Sequence, residues 1–240
     1  MAKTKAILLA GGLGTRLRPL TLTTPKCLVP IGDKSLLDYW LDNLAAAGVP
    51  DALINNHHLP EIVRAKIKAV NASGPVKLHE FHEPTLLGSA GTLTANRDFA
   101  DDADTVLIIY ADNLSSASMA ELVAFHEGHD DPFTMLLFTT PAPKTCGIAV
   151  LDDDKRVVEF VEKPEQPKSD LANAGVYAVD AECFREIADM KGFDIGFDVL
   201  PKLVGRMRGF SFEGYHRDIG NMDSLEQARA DIAAGRVFKP

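Results

Sequence analysis

The chain has 240 residues, of which 34 are aspartate or glutamate and 25 are lysine or arginine, giving a net charge of −9. That charge argues against a nucleic-acid-binding protein with a broad basic face, although a few converging cations can still hold a small anion. Apolar residues make up 46% of the chain, and no run of about 18 apolar residues predicts a transmembrane helix. The length allows one large domain or two small ones.

The cysteines and the N-terminal residues favour a cytoplasmic protein. Cys27, Cys146 and Cys183 are odd in number and widely spaced, which is typical of reduced thiols and argues against a disulfide framework or a zinc site. Residues 1–5 lead directly into an apolar run and lack the pattern of a signal peptide.

A glycine-rich loop follows this first apolar run. Residues 6–21 read AILLAGGLGTRLRPLT, and Lys26 comes after a proline. Glycines allow backbone N–H groups to approach an anion closely, and Arg16 and Lys26 add positive charge. A Walker A loop would end in Gly-Lys-Ser/Thr, and a dinucleotide fingerprint would have glycine where Leu17 stands. The loop is therefore predicted to bind phosphate, but it is neither a Walker A loop nor a dinucleotide fingerprint.

Helix and strand patterns alternate after the loop. Ser35 is a good N-cap for a helix that Gly48 ends, and Pro60 begins a second helix. Strands are predicted at residues 52–54 and 76–81. The β-α-β-α-β order predicts a parallel sheet with helices on both faces.

A second loop of small residues occupies positions 83–93, EPTLLGSAGTL, before a short predicted helix. Its lack of side-chain bulk suits a flat ring that lies against backbone atoms.

Residues 106–110, VLIIY, form a continuous apolar run that predicts a central strand, and Asp112 follows it. Ligands of open α/β sheets bind beyond the carboxyl ends of the strands, so Asp112 is placed to hold a metal ion. A helix cap is the alternative role for this carboxylate.

The second half of the chain continues the mixed pattern. The acidic residues 152–154 lack the glycine and distal glutamate of an EF-hand loop, so they are predicted to form a solvated turn. The elements predicted here are helices at 119–126, 181–188, 197–204 and 222–234, strands at 133–140 and 210–213, and a hairpin of residues 147–151 and 157–160.

Five motifs resemble, in the same order, those of the sugar-1-phosphate nucleotidylyltransferases, and most closely the mannose-1-phosphate or manno-heptose-1-phosphate guanylyltransferase branch. They are GGLGTRLRPLT with Lys26, LGSAG at 87–91, ADN at 111–113, VEKP at 161–164 with NAG at 173–175, and DIG at 218–220. Four residues depart from the commoner family pattern: Ala111, Cys146, His216 and Asn221.

The resemblance implies a three-layer α/β/α Rossmann-like fold with a mostly parallel mixed central sheet. It implies one nucleotidyltransferase domain over residues 1–240, with a nucleotide-binding part of about 1–115 and a sugar-phosphate-binding part of about 116–240. The chain shows no hexapeptide repeats, so no C-terminal β-helix is expected.

The resemblance also implies transfer of a nucleoside monophosphate from a nucleoside triphosphate to a sugar 1-phosphate, with release of pyrophosphate. The residues that match the family's catalytic positions are Arg16, Lys26, Asp112 and Lys163. Those that match its nucleotide-binding positions are Leu9, Ala10, Gly11, Gly12, Gly14, Thr15, Arg16, Gly88, Ala90 and Gly91. Those that match its sugar-phosphate positions are Asn113, Gly147, Glu162, Lys163 and Asn173. Asp112 and Asp218 match the ligands of a Mg²⁺ ion.

Base and sugar remain open at this point. GTP with mannose or manno-heptose 1-phosphate is the first expectation, and UTP or dTTP with N-acetylmuramate or glucose 1-phosphate is the alternative. A non-catalytic sensor of nucleotide sugars is the competing class of protein. No nucleic-acid or membrane partner is expected, and a homo-oligomer is compatible with the sequence.

Overall fold

The computed structural model describes residues 3–238, which form two compact units. The first, here called the glycine-loop unit, comprises Lys5–Leu86, Ile109–Ala120 and the chain from Gly214 onwards. The second, here called the hairpin unit, comprises Leu87–Ile108 and Glu121–Glu213, with Lys3 and Thr4. The two units therefore alternate along the sequence.

Within the described residues, strands and helices are numbered in chain order. The strands are β1 (Thr4–Leu9), β2 (Pro30–Ile31), β3 (Lys34–Ser35), β4 (Asp51–Asn56), β5 (Lys77–His82), β6 (Thr105–Tyr110), β7 (Asn113–Ser115), β8 (Phe133–Thr139), β9 (Gly147–Leu151), β10 (Val157–Glu162), β11 (Leu171–Asp180), β12 (Met207–Ser211) and β13 (His216–Asp218). The helices are α1 (Leu36–Ala46), α2 (Pro60–Ser73), α3 (Gly88–Ala95), α4 (Met119–Glu127), α5 (Ala181–Asp189) and α6 (Met222–Ala233). None of these helices is long and apolar enough to cross a membrane.

The glycine-loop unit is built on three parallel strands, β1, β4 and β5, connected through α1 and α2. Helix α1 begins where Ser35 and Asp38 form a reciprocal capping box, and α2 begins with Pro60 at its first turn. The predicted β-α-β-α-β order is confirmed.

A short antiparallel pair, β7 with β13, completes this unit near the glycine loop. Asp218 lies opposite Asn113 in the register, and the Ile219 N–H donates to the Asp112 carbonyl at 3.1 Å. Buried Leu114 and Ile219 belong to one hydrophobic cluster with Leu17 of the loop. Apolar burial therefore fixes the chain segments that carry the predicted metal ligands beside the glycine loop.

The hairpin unit is mostly antiparallel. Strand β11 pairs with β8 and β9, β9 pairs with β10, and only β12 runs parallel to its neighbour β8 among these pairs. The predicted hairpin is confirmed as β9 and β10. Together with the parallel strands of the other unit, these pairs give the mixed α/β fold that the sequence predicted.

Two predicted elements of the hairpin unit differ in detail. The predicted helix at 197–204 is a π-helical turn at Ile195–Val199 followed by a 3₁₀ turn at Leu200–Leu203, because Pro201 has no N–H to continue a regular helix. The strand predicted at 210–213 is β12, Met207–Ser211, which begins earlier because its pairing with β8 starts at Met207.

Candidate active site

The glycine loop leaves β1 at Leu9 and turns sharply at Gly14. Gly14 has a φ of 62°, in the left-handed region that favours glycine. Its carbonyl accepts hydrogen bonds from the Leu17 N–H at 2.9 Å and from the Thr21 hydroxyl at 2.7 Å. A Cβ at this position would lie 2.8 Å from Cγ2 of Thr21, so any larger residue strains the turn.

The loop is also held from the sheet side. Asn55, at the end of β4, accepts hydrogen bonds from the N–H groups of Ala10 and Gly11. Glu83, just after β5, accepts a hydrogen bond from the Asn55 side chain at 2.8 Å. No role in the site is predicted for Asn55 or Glu83 from the sequence, although a polar residue that follows apolar strand positions is a signal for such a role.

Lys26 lies between the two predicted metal ligands. Its Nζ donates to Oδ2 of Asp112 at 2.6 Å and lies 3.6 Å from Oδ1 of Asp218. The Lys26 side chain is only 9% exposed, whereas those of Asp112 and Asp218 are 36% and 58% exposed. The two carboxylates therefore converge on the Lys26 ammonium and stabilise its positive charge.

Arg16 belongs to the same cluster. A Cβ at Gly220 would lie 3.0 Å from Nη2 of Arg16 and 2.5 Å from Oδ2 of Asp218, so glycine gives both groups the space they occupy. Gly12 and Thr15 are exposed on the loop, and Asn113 is buried beside Asp112.

Burial shifts the pKa values of two groups in this cluster. Loss of water contact raises the pKa of Asp218 above its usual value; Lys26 opposes this shift and the Asp112 charge adds to it. Burial lowers the pKa of His216 to about 4, against the effect of Asp112, so this imidazole is neutral at pH 7. His216 therefore adds no positive charge to this cluster at neutral pH.

Asp112 and Asp218 are the two carboxylates of this site that could hold a divalent metal ion. Among the described residues, no group of three or more His, Cys, Asp or Glu side chains is arranged to hold a metal ion. Mg²⁺ commonly takes only one or two carboxylates and completes its coordination with water and phosphate oxygens. Asp112 and Asp218, converging on a cation, match that requirement.

In the hairpin unit, Glu162 lies in a space that two glycines leave open. A Cβ at Gly147 would collide with Oε2 of Glu162, and a Cβ at Gly196 would lie 2.9 Å from the same oxygen. Burial raises the pKa of Glu162; Lys163 opposes the shift and Asp194 adds to it. A half-buried acceptor of this kind is suited to hydroxyl donors.

Lys163 follows Glu162 with a φ of 51°, an uncommon value for a residue other than glycine. Its N–H donates to the Cys146 carbonyl at 3.0 Å, which ties it to the start of β9. The Lys163 side chain is 59% exposed, and its Nζ lies 3.9 Å from Glu162 and 6.0 Å from the centroid of the Phe197 ring. An exposed ammonium thus stands beside a half-buried carboxylate.

Asn173, a predicted sugar ligand, has local partners. Its amide donates to the Tyr177 hydroxyl at 2.8 Å, and its carbonyl oxygen accepts from the Gly175 N–H at 2.9 Å. Burial raises the pKa of Tyr177, so this phenol stays neutral.

The small residues predicted to admit a base are packed against segment 192–195 of the same unit. The Ala90 N–H donates to the Phe193 carbonyl at 3.1 Å, and the Ile195 N–H donates to the Ser89 hydroxyl at 2.9 Å. A Cβ on Gly88 would collide with the Phe193 carbonyl, and one on Gly91 would lie 3.1 Å from Cβ of Leu87. Packing accounts for the small side chains here, and the base contact stays a prediction.

The structure thus gathers the predicted residues into two sets. The glycine-loop unit holds Leu9, Ala10, Gly11, Gly12, Gly14, Thr15, Arg16, Lys26, Asp112, Asn113 and Asp218. The hairpin unit holds Gly88, Ala90, Gly91, Gly147, Glu162, Lys163 and Asn173. Among the departures from the family pattern, Asn221 caps α6 by accepting from the Ser224 N–H at 2.9 Å.

Comparison with known proteins shows the family to which the chain belongs. A family model described as nucleotidyl transferase matches residues 5–235. The chain belongs to the nucleotidyl transferase family. Among solved structures, a Bacillus anthracis protein titled as a candidate glucose-1-phosphate thymidylyltransferase, in complex with sucrose, superposes with a TM-score of 0.84. It is 26% identical, and the match covers 99% of this chain and 98% of that one.

Curated nucleotidyl transferases are also similar in sequence. The mannose-1-phosphate guanylyltransferase of Mycobacterium tuberculosis is 31% identical over 239 residues, and the mannose-1-phosphate guanyltransferase of Schizosaccharomyces pombe is 34% identical over 242 residues. Each match covers 98% of this chain and 66% of the relative. The chain therefore spans just under two thirds of the length of these relatives.

Proposed function

We propose that this nucleotidyl transferase moves a nucleoside monophosphate from a nucleoside triphosphate to a sugar 1-phosphate and releases pyrophosphate. The observation that carries the proposal is the position of the Lys26 ammonium between Asp112 and Asp218, beside the glycine loop. A buried cation and two converging carboxylates, beside a loop that exposes Gly12 and Thr15, are the groups that a triphosphate and its metal ion require.

The reaction needs positioning and positive charge more than it needs a base. A sugar phosphate oxygen is already an anionic nucleophile, so no residue has to remove a proton from it. The barrier arises from bringing this anion to the α-phosphorus of a triphosphate, in line with the leaving pyrophosphate. Lys26 and Arg16 stabilise the triphosphate charge, and the glycine loop fixes its orientation.

Asp112 and Asp218 would hold Mg²⁺ together with phosphate oxygens of the nucleotide. When bound, this ion screens the negative charge of the phosphates and polarises a phosphoryl oxygen. Lys26 pairs with both carboxylates, so its ammonium is held at the two residues that would bind the ion.

The hairpin unit supplies all the groups proposed for the sugar phosphate except Asn113, which belongs to the glycine-loop unit. Glu162 accepts hydrogen bonds from sugar hydroxyls, beside the Gly147 backbone, and the exposed Lys163 ammonium pairs with the phosphate. Asn173 takes part in sugar binding through the hydrogen-bonding capacity of its amide that the contacts with Tyr177 and Gly175 do not use. The division into a nucleotide-binding part of about residues 1–115 and a sugar-phosphate-binding part of about residues 116–240 stays a prediction.

GTP with mannose or manno-heptose 1-phosphate is the proposed substrate pair. The names of the M. tuberculosis and S. pombe relatives support it, at 31% and 34% identity. The solved structure described as a candidate glucose-1-phosphate thymidylyltransferase supports dTTP with glucose 1-phosphate as the second candidate.

The test is a matrix of GTP, UTP, dTTP and ATP against mannose, manno-heptose, glucose and N-acetylmuramate 1-phosphates, with Mg²⁺ and pyrophosphate release as the readout. We expect the highest rate in the GTP row with a manno-configured sugar. The highest rate in the dTTP or UTP row would reverse the substrate assignment. If no mixture releases pyrophosphate while the protein still binds a nucleotide sugar, the protein is a sensor and not an enzyme.

A further inference from the structure

The glycine loop is anchored by a side chain outside it. Oδ1 of Asn55 accepts two hydrogen bonds from consecutive loop amides, from Ala10 N at 2.5 Å and from Gly11 N at 3.2 Å. Asn55 is only 4% exposed. One buried acceptor therefore fixes the orientation of both peptide groups at the point where the chain leaves β1.

Asn55 is itself held in one orientation. Its Nδ2 donates to Oε1 of Glu83 at 2.8 Å, and Glu83 is 1% exposed. The oxygen and nitrogen of this amide are not interchangeable, because the carboxylate accepts only from the nitrogen and the loop N–H groups donate only to the oxygen. The two ends of the contact therefore specify a single orientation of the Asn55 side chain.

The same contact explains why position 11 is glycine. A Cβ on Gly11 would lie 2.7 Å from Nδ2 of Asn55 and 3.5 Å from Oε2 of Glu83. The amide cannot move aside without breaking its bond to Glu83, so a side chain at this position opposes the anchored conformation.

We propose that Asn55 and Glu83 form a clamp that sets the glycine loop in its phosphate-binding conformation before the nucleotide arrives. Because the clamp already occupies the N–H groups of Ala10 and Gly11, triphosphate binding falls to the loop from Gly12 onwards and to the cations. The predicted contribution of Gly11 thereby becomes one of backbone placement. This inference rests on the proposed function, and it makes Asn55 and Glu83 positioning residues for the nucleotide.

The pair allows a test by exchange of donor and acceptor. Asn55→Asp keeps an oxygen for the loop amides but sets two carboxylates against each other, so we expect the KM for GTP to rise about tenfold or more. Glu83→Gln retains an oxygen that accepts from Asn55, so its rise is smaller, about threefold. In the double variant, the introduced amide donates to the introduced carboxylate, and we expect most of the lost affinity for GTP to return.

The chain offers a matched control one residue along β4. Asn56 is 1% exposed, and its Nδ2 donates to Oε1 of Glu80 at 2.8 Å, so Asn56→Asp makes the same chemical change at an equally buried site. Its described side-chain contacts are with Glu80 and His82, away from the glycine loop. We expect Asn56→Asp to lower the melting temperature without selectively changing the KM for GTP.

Two readouts separate the clamp from a structural role. The KM for GTP should rise in Asn55→Asp while the KM for the sugar 1-phosphate and the circular dichroism spectrum stay near those of the wild type. An unchanged KM for GTP, equal changes for both substrates, or no recovery in the double variant would overturn the clamp.

Calorimetry with inorganic tripolyphosphate tests the clamp without turnover. If the wild type turns over no substrate pair but binds tripolyphosphate, and Asn55→Asp weakens that binding about tenfold, the proposed function fails and the clamp stands. If the wild type does not bind tripolyphosphate, or both proteins bind it equally, the clamp is wrong.

Discussion

Among single residues, Lys26 contributes most to the proposed chemistry. Its side chain is almost fully buried, yet its ammonium contacts Asp112 at 2.6 Å and lies 3.6 Å from Asp218. Burial and two carboxylate neighbours fix this charge in place, so it needs little reorganisation when a phosphate binds.

Lys26→Ala should lower kcat about 10²- to 10³-fold with saturating substrates, because a preorganised cation next to the reacting phosphate is lost. Lys34→Ala is the control, since Lys34 is 50% exposed in a surface ion pair with Asp42 and should leave kcat unchanged. Equal rates for Lys26→Ala and the wild type, measured as pyrophosphate release, would contradict the role of Lys26.

A second prediction concerns two histidines of the hairpin unit. His126 and His129 both lie 2.9 Å from the Thr134 hydroxyl. Burial lowers the pKa of both; Asp180 opposes the shift at His126, and Arg208 lowers the pKa of His129 further. At these two histidines, the unfolded chain therefore binds more protons than the folded chain between about pH 6.5 and the lowered pKa values.

It follows that stability should fall as the pH drops through 6.5 towards the lowered pKa values of these histidines, and that their effect should vanish above that range. The measurement is the melting temperature at pH 7.5 and pH 5.0 for the wild type and for the double variant His126→Gln with His129→Gln. A smaller loss at pH 5.0 in the variant supports the assignment. The same loss in both proteins would assign the pH dependence to other groups.

The site residues that could be predicted are those that belong to a short local sequence motif. Lys26, Asp112 and Asp218 each occur in a short pattern that identifies them separately, and the structure brings them within hydrogen-bonding or ion-pair distance. Asn55 and Glu83 could not be predicted in this way, because they are 28 residues apart and meet only through the register of β4 and β5.

At the scale of elements, the glycine loop depends on a turn that only glycine adopts without strain. Gly14→Ala forces a side chain into a φ of 62° and places its Cβ 2.8 Å from Thr21. We expect a loss of about 1 kcal/mol or more in unfolding free energy, together with a higher KM for the nucleotide. Urea denaturation and initial-rate kinetics measure the two effects.

Gly48→Ala provides the comparison for that variant. Gly48 also has a positive φ, 70°, but a Cβ there meets no described atom within 4 Å, and the residue follows α1 away from the loop. It should lose about the same 1 kcal/mol from backbone strain with no change in the nucleotide KM. A raised KM in both variants would mean that the kinetic effect reflects general destabilisation.

Long elements with a clear pattern were predictable, and short paired elements were not. Helix α1 has its own start signal in the capping box of Ser35 and Asp38. Strands β7 and β13 are three residues each, and their partners lie about a hundred positions apart, so only the folded core around Leu114 and Ile219 defines them. Residues 197–204 are predicted to form one helix, but Pro201 lacks the N–H that a regular helix needs, and a π-helical turn followed by a 3₁₀ turn takes its place.

For the whole molecule, a net charge of −9 coexists with a cluster that suits polyanions. Lys26 and Arg16 provide local positive charge, and a divalent ion held by Asp112 and Asp218 would add to it. We therefore expect this acidic protein to turn over its nucleotide only when a divalent cation is present.

Removal of divalent cations with EDTA should abolish turnover, and added Mg²⁺ should restore it. The circular dichroism spectrum should not change, because Lys26 pairs with both carboxylates and the apolar cluster around Leu114 and Ile219 holds their chain segments. Full activity in EDTA would contradict the proposed metal role, whereas loss of the folded spectrum would indicate a structural metal site.

Nucleotidyl transfer by this chain can be followed by ³¹P nuclear magnetic resonance of the wild-type protein mixed with GTP, mannose 1-phosphate and Mg²⁺. We expect the signals of both substrates to decline together while those of pyrophosphate and a nucleoside diphosphate sugar grow in equal amounts. Appearance of GDP with orthophosphate, or unchanged substrate signals with every nucleotide and sugar phosphate of the matrix, would contradict it.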